Sequence, residues 1–105
     1  IRVPTPNVSL VDLVVELEKP TSAQEINEAI QAAAAGPMRG ILQAADSHLV
    51  SGDSIGNPHS SIVDIPLTDG MGKNFFKLLS WYDNEWGFSN RMLDLSRILY
   101  GLERR

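Results

Sequence analysis

The sequence predicts an α+β fold: a mixed, mostly antiparallel sheet with one covering helix and a long C-terminal helix. Three observations carry this prediction. A Ser-x-x-Glu capping box at Ser22 and Glu25 opens an apolar-striped run. Two short connections near the end of the chain favour an antiparallel or mixed sheet. From Trp86 to Leu102 the apolar positions step by helical intervals.

Residues 3–7, Val-Pro-Thr-Pro-Asn, hold two prolines one residue apart and read as a stiff extended connector. Residues 8–17 mix valine and leucine with Ser9, Asp12 and Glu16, which predicts a strand with one well-buried face. Asp12 is out of place in such a run and points to a bulge, an edge or a partner across an interface. The spacing of Ile26, Ala29, Ile30 and Ala33 predicts a helix over 23–35. Gly36 is expected to close it with a left-handed cap, and Pro37 to block its continuation. Strands follow at 40–44 and 60–65, separated by a turn-rich stretch over 45–59. Gly70 and Gly72 place a hairpin turn within 68–74, ahead of a strand at 75–82. In the last helix, 86–102, Phe88, Met92, Leu95, Leu99 and Leu102 share one face. That face is more than one short sheet can cover.

With 105 residues the chain has the length of one domain. Its apolar fraction of 43% and charged fraction of 21% are those of an ordinary globular protein. No stretch free of Asp, Glu, Lys and Arg exceeds ten residues, whereas a membrane helix needs about 20 apolar ones. No leader pattern is visible, and a membrane partner is not expected. The net charge of −4 disfavours binding to nucleic acid through phosphates. Only the segment from 85 onward is slightly basic, through its end at Arg104 and Arg105. Cysteine is absent, which excludes disulfides and a thiol nucleophile within these residues. The start at Ile1, directly on an extended stretch, reads as a piece of a longer polypeptide.

Chemistry-bearing groups are few. His48 and His59 lie in loops without metal-ligand spacing, so no metal site is expected. Asp64, Asp69 and Asp83 read as turn and cap residues. The Gly70-Met71-Gly72 run lacks the third glycine of a dinucleotide fingerprint. Arg2, held by the proline-stiffened connector, presents a guanidinium fork suited to a phosphate or carboxylate; a merely solvated arginine is the alternative. Residues 81–87 crowd two tryptophans, a tyrosine, an amide and two acids at a strand-to-helix junction. Asn84 there can cap the helix, the reading the residues alone favour, or offer its amide to a ligand's carboxamide.

The segments Arg-Val-Pro-Thr-Pro-Asn-Val-Ser at 2–9, Val-Asp-Leu at 11–13, Gly-Ile-Leu at 40–42, His-Ser-Ser at 59–61 and Ser-Trp-Tyr-Asp-Asn-Glu-Trp-Gly-Phe-Ser-Asn-Arg at 80–91 resemble glyceraldehyde-3-phosphate dehydrogenase. Their order and spacing match the C-terminal third of that family, over essentially the whole chain. The resemblance implies that 1–105 is part of a catalytic domain, and that the helix 86–102 packs on an NAD-binding domain outside this chain. It implies an NAD- or NADP-dependent oxidation of a phosphorylated aldehyde, with a cysteine thiohemiacetal, a histidine base and phosphorolysis. By position, Arg2 matches a phosphate-binding arginine and Asn84 the asparagine that holds the nicotinamide carboxamide. Tyr82 sits beside that pocket with no direct role assigned. So does Phe88, which replaces a common tyrosine.

The family's nucleophile and base fall before Ile1, so no catalytic residue is assigned within the chain, and the isolated chain is expected to be inactive. The resemblance further implies a homotetramer, in the cytoplasm. Phe88, Asn90, Arg91 and Met92 are also similar to erythrose-4-phosphate dehydrogenases, which keeps that aldehyde as an alternative substrate. Tyr82 and Pro6 look more like the glyceraldehyde enzyme. A second reading is a non-catalytic interaction module that binds itself or dehydrogenase subunits through uncovered apolar surface.

Overall fold

The computed structural model describes residues 2–101. The elements run β1 (Ser9–Glu16), α1 (Ala23–Ala35), β2 (Leu42–Ala45), β3 (Ser61–Asp64), β4 (Asp69–Met71), β5 (Phe75–Tyr82) and α2 (Trp86–Leu99), with short 3-10 turns at Ser51–Ser54 and Ile65–Leu67. The sheet has the order β1-β5-β3-β2, and β4 also pairs with β5. Among the described strands, β2 and β3 run parallel and the other pairs are antiparallel. The expected α+β architecture is therefore present, with α1 beside β2 and α2 following the last strand. Leu102, Arg104 and Arg105 lie outside the described residues, as does Ile1.

The helix α1 forms where its sequence dictates. The Ser22 hydroxyl accepts the Glu25 backbone N–H at 3.2 Å, and the Glu25 carboxylate accepts the Ser22 N–H at 3.1 Å. These two bonds satisfy donors that a helix start otherwise leaves free. Ile26, Ile30 and Ala33 are half-buried, while Ala29 of the same stripe stays exposed. The C-terminal cap departs from expectation. Gly36 has φ −114°, outside the left-handed region. Its N–H is instead shared between the carbonyls of Ala32 and Ala33, and Met38 donates to Ala33 as well. The positive φ comes four residues later, at Gly40, and the turn there delays β2 to Leu42.

Other departures have equally local causes. The stretch read as a hairpin turn contains β4. Gly70 faces Phe76 across the β4–β5 pair so closely that a Cβ there would lie 2.6 Å from the ring. The turn proper tightens around Gly72, at φ +70°. Strand β1 lacks the well-buried face expected of it. Leu10, Val11, Leu13 and Val14 are all exposed, although they point to alternate sides. The reason is position: β1 is an edge strand, and α1 packs beside β2 at the opposite edge. Its pairing with β5 runs unbroken from Ser9 to Glu16, so Asp12 marks an edge and not a bulge. Asp12 forms a 2.9 Å ion pair with Lys77 on the neighbouring strand.

The buried apolar core is Val8, Ala45, Ile62, Val63 and Phe76. Asp64 is also fully buried, and one of its oxygens accepts the Trp81 indole N–H at 3.1 Å. In α2 the stripe of Phe88, Met92, Leu95 and Leu99 is exposed along its whole described length, with Leu99 at 76%. Only Gly87 is buried in that helix, where an added Cβ would meet the backbone of His59 and Ser60.

Candidate functional site

Because β1 and β5 are antiparallel and Ser9 faces Tyr82, the chain entering β1 lies beside the chain leaving β5. The register thus brings the segment that follows Arg2 against the Asp83-Asn84 turn. Two consecutive side chains of that turn hold it. The Asn84 Oδ1 accepts the Val8 backbone N–H at 2.9 Å, and Asn84 Nδ2 donates to the Ser9 hydroxyl at 2.6 Å. The Asp83 Oδ1 accepts from Asn7 Nδ2 at 3.0 Å, and Asp83 Oδ2 accepts the Gly56 N–H at 2.8 Å. Trp86 closes the ring by donating its indole N–H to the Gly56 carbonyl at 3.0 Å.

At the centre sits Val8, with φ +78°. A β-branched residue in the left-handed region is a true outlier. Strain of this kind costs about 1–3 kcal/mol and gathers at functional sites. No sequence signal announced it, since valine there reads as ordinary strand.

Asn84 does not cap α2, contrary to the reading the residues alone favour. The residue at the cap position is Glu85, in helical conformation and without a side-chain cap bond. The Asn84 amide instead binds the start of β1. Its two bonds fix which end is oxygen and which is nitrogen, and leave one N–H and one lone pair for a further partner. Arg2 is exposed and makes no hydrogen bond or ion pair with other described residues.

The family model of the glyceraldehyde 3-phosphate dehydrogenase C-terminal domain matches residues 1–84. The chain belongs to that dehydrogenase family. It is 52% identical over 103 residues to the testis-specific glyceraldehyde-3-phosphate dehydrogenase of Mus musculus, covering 98% of this chain and 23% of the relative. It is 56% identical over 96 residues to glyceraldehyde-3-phosphate dehydrogenase B of Aspergillus oryzae, covering 91% and 29%. With glyceraldehyde-3-phosphate dehydrogenase 1 of Caenorhabditis elegans it shares 54% over 94 residues, covering 90% and 28%. The chain thus spans less than a third of the length of these glyceraldehyde-3-phosphate dehydrogenases.

Electrostatics in this dehydrogenase domain favours a charged Asp83 and a neutral His59. The Gly56 N–H, then the Asn7 amide, hold the Asp83 carboxyl below its ordinary 3.8. Its charge therefore supports the fold above about pH 3.8, and that support is lost as pH falls through the lower folded value. Burial, then the nearby Arg91 charge, lowers His59 from 6.5, so protonation there opposes the fold below about that pH. The His59 Nδ1 lies 2.8 Å from Asn57 Oδ1, which also accepts the His59 backbone N–H. An Asp83→Asn variant should melt lower than the parent at pH 7. It should also lose less stability than the parent between pH 5 and 3. Identical acid slopes for parent and variant in urea titrations would remove Asp83 from this role.

Near His59, a groove of about 460 Å³ is lined by residues that include Gln31, Arg39 and Gln43, and by neither Arg2 nor Asn84. Among the described residues, no three His, Asp or Glu side chains converge as a metal site would require.

Proposed function

We propose that this chain forms the phosphate- and nicotinamide-facing part of an NAD- or NADP-dependent, phosphorylating glyceraldehyde-3-phosphate dehydrogenase. The observation that carries this reading is the fixed amide of Asn84. A primary carboxamide offers one donor side and one acceptor side, which complement the N–H and lone pair that Asn84 retains. When bound, the nicotinamide would supply the hydride acceptor. Arg2 contributes a guanidinium fork for the substrate phosphate or for inorganic phosphate. The 105 residues contain no cysteine, so the thiol that attacks the aldehyde must come from outside them. The exposed stripe of α2 fits a seat on the nucleotide-binding domain of the whole enzyme.

The test uses a chimera in which the chain replaces the corresponding part of the Aspergillus relative. Its oxidation of glyceraldehyde 3-phosphate is expected to depend on phosphate. Arg2→Ala should lower kcat/KM by about 10- to 100-fold, the loss of one charge-assisted pair. Asn84→Ala should raise the KM for the cofactor. Unchanged constants in both variants would defeat the assignment. Comparing kcat/KM for glyceraldehyde 3-phosphate and erythrose 4-phosphate in the same chimera decides the substrate. The chain alone should show no turnover.

A second reading has its own observation. Leu10, Val11, Leu13 and Val14 on β1 and the α2 stripe leave much apolar surface uncovered. On that reading the chain associates with itself or with dehydrogenase subunits, as a homotetrameric cytoplasmic enzyme would need. A folded chain that stays monomeric in sedimentation would count against self-association.

A further inference from the structure

We propose that Asn84 is a positioning residue as well as a ligand-facing one: it holds Val8 in its left-handed bend, and that bend sets how the Arg2 segment leaves the sheet. The proposal deepens the reading of Arg2 and Asn84 just given and rests on it for its functional meaning. Its starting point is that Val8, left to itself, would relax. An unstrained valine would simply extend β1 backwards past Tyr82 and carry residues 2–7 along the strand direction.

Three contacts oppose that relaxation. The Val8 N–H is received by Asn84 Oδ1 at 2.9 Å. The preceding Asn7 is tied to Asp83 at 3.0 Å, so both residues at the bend are gripped by adjacent side chains of one turn. The Val8 side chain is buried, which discourages a swing into solvent. Ser9 completes the device. By accepting from Asn84 Nδ2, it stops the amide from rotating and presenting nitrogen to the Val8 N–H. A contact that steadies the Asn84 amide therefore steadies the bend, and with it the path of the Arg2 segment. The coupling is reciprocal: an anion held by Arg2 in the bent arrangement favours the amide orientation that receives a carboxamide.

The experiment is NMR on the full 105-residue chain, with amide exchange at Val8 and titration with inorganic phosphate. Asn84→Ala is expected to speed exchange of the Val8 amide about tenfold, the loss of one net hydrogen bond. It should also shift the resonances of residues 3–7 and weaken phosphate binding several-fold, although residue 84 does not touch the phosphate. Adding Val8→Gly to that variant should restore phosphate affinity, because glycine adopts the bend without strain. Asn84→Asp keeps an acceptor and should leave the Val8 amide protected. Should Asn84→Ala fail to fold, Ser9→Ala frees the amide to rotate and should speed Val8 exchange a few-fold. A Val8 amide that exchanges as slowly in these variants as in the parent overturns the proposal. So does phosphate binding that needs Arg2 but ignores Asn84→Ala. Phosphate binding that survives Arg2→Ala overturns the proposed role of Arg2 instead, and the exchange rate of Val8 still decides the positioning role.

Discussion

Phe76→Ala is expected to lower the unfolding free energy by about 3–5 kcal/mol, the usual range for emptying a buried phenylalanine site. Phe76 is 2% exposed and is the largest side chain in a core of few members. It sits where three elements meet. Its strand pairs with β1 through Val15 and with β4 through Gly70, and its ring lines a groove beside the start of α1. Gly70 cannot collapse into the void, because it has no side chain to move. A domain of this size commonly has about 5–15 kcal/mol of stability in total, so the loss is a large share of it. Urea titration followed by tryptophan emission checks the result. Phe76→Leu, which keeps most of the volume, should lose well under half as much. Equal midpoints for the parent and the alanine variant would show that the ring is not the keystone of this core.

The second large effect concerns the entry into α2. Gly87→Ala should destabilise the fold by about 1–3 kcal/mol, the cost of overpacking a close contact. Helix propensity argues the other way, since alanine is better than glycine in a helix interior by about 1 kcal/mol. Geometry decides. A Cβ on Gly87 would stand 2.9 Å from the His59 carbonyl oxygen and 3.3 Å from the Ser60 Cα. Those are backbone atoms, and they are not loose. His59 N–H is bonded to Asn57, and Ser60 N–H to the Ile41 carbonyl at 2.8 Å. The helix must therefore tilt away, which strains the Trp86 bond to Gly56 and the Arg91 bond to the Ser60 hydroxyl. The expected outcome is a lower melting temperature together with a changed Trp86 emission. A variant that melts higher than the parent would mean that propensity outweighs the contact.

How far such features can be read in advance depends on how local their causes are. The start of α1 was legible because Ser22 and Glu25 carry both halves of their bonds within one turn. The extent of β5, Phe75–Tyr82, was legible from its aromatic and branched residues. Burial was not. The exposure of β1 follows from its place at the sheet's edge, and strand order is not written in any one segment. The reading of Asn84 as a helix cap failed for a related reason. Its amide is engaged by Val8 and Ser9, which only the pairing of β1 with β5 brings beside it. The bonds of Asp83 to Asn7 and Gly56 likewise join parts of the chain that only the finished sheet brings together. Val8 left no trace in the sequence. Glycine at that position would have announced a bend.

The pairing of β1 with β5 also sets a timetable. Glu16 and Phe75 form the shortest-range rung of that ladder, and between them lie α1, β2, β3 and β4. During synthesis the first strand emerges long before its one neighbour in the sheet of the described residues. Until residues 75–82 have left the ribosome, Val11, Leu13, Val14 and Val15 lack the β5 ladder they join in the fold. Closing so long a loop is slow compared with helix formation, so α1 is ready first and waits. Nascent chains halted before Phe75 should accordingly be captured by chaperones that bind extended apolar segments, and chains released after Tyr82 should escape them.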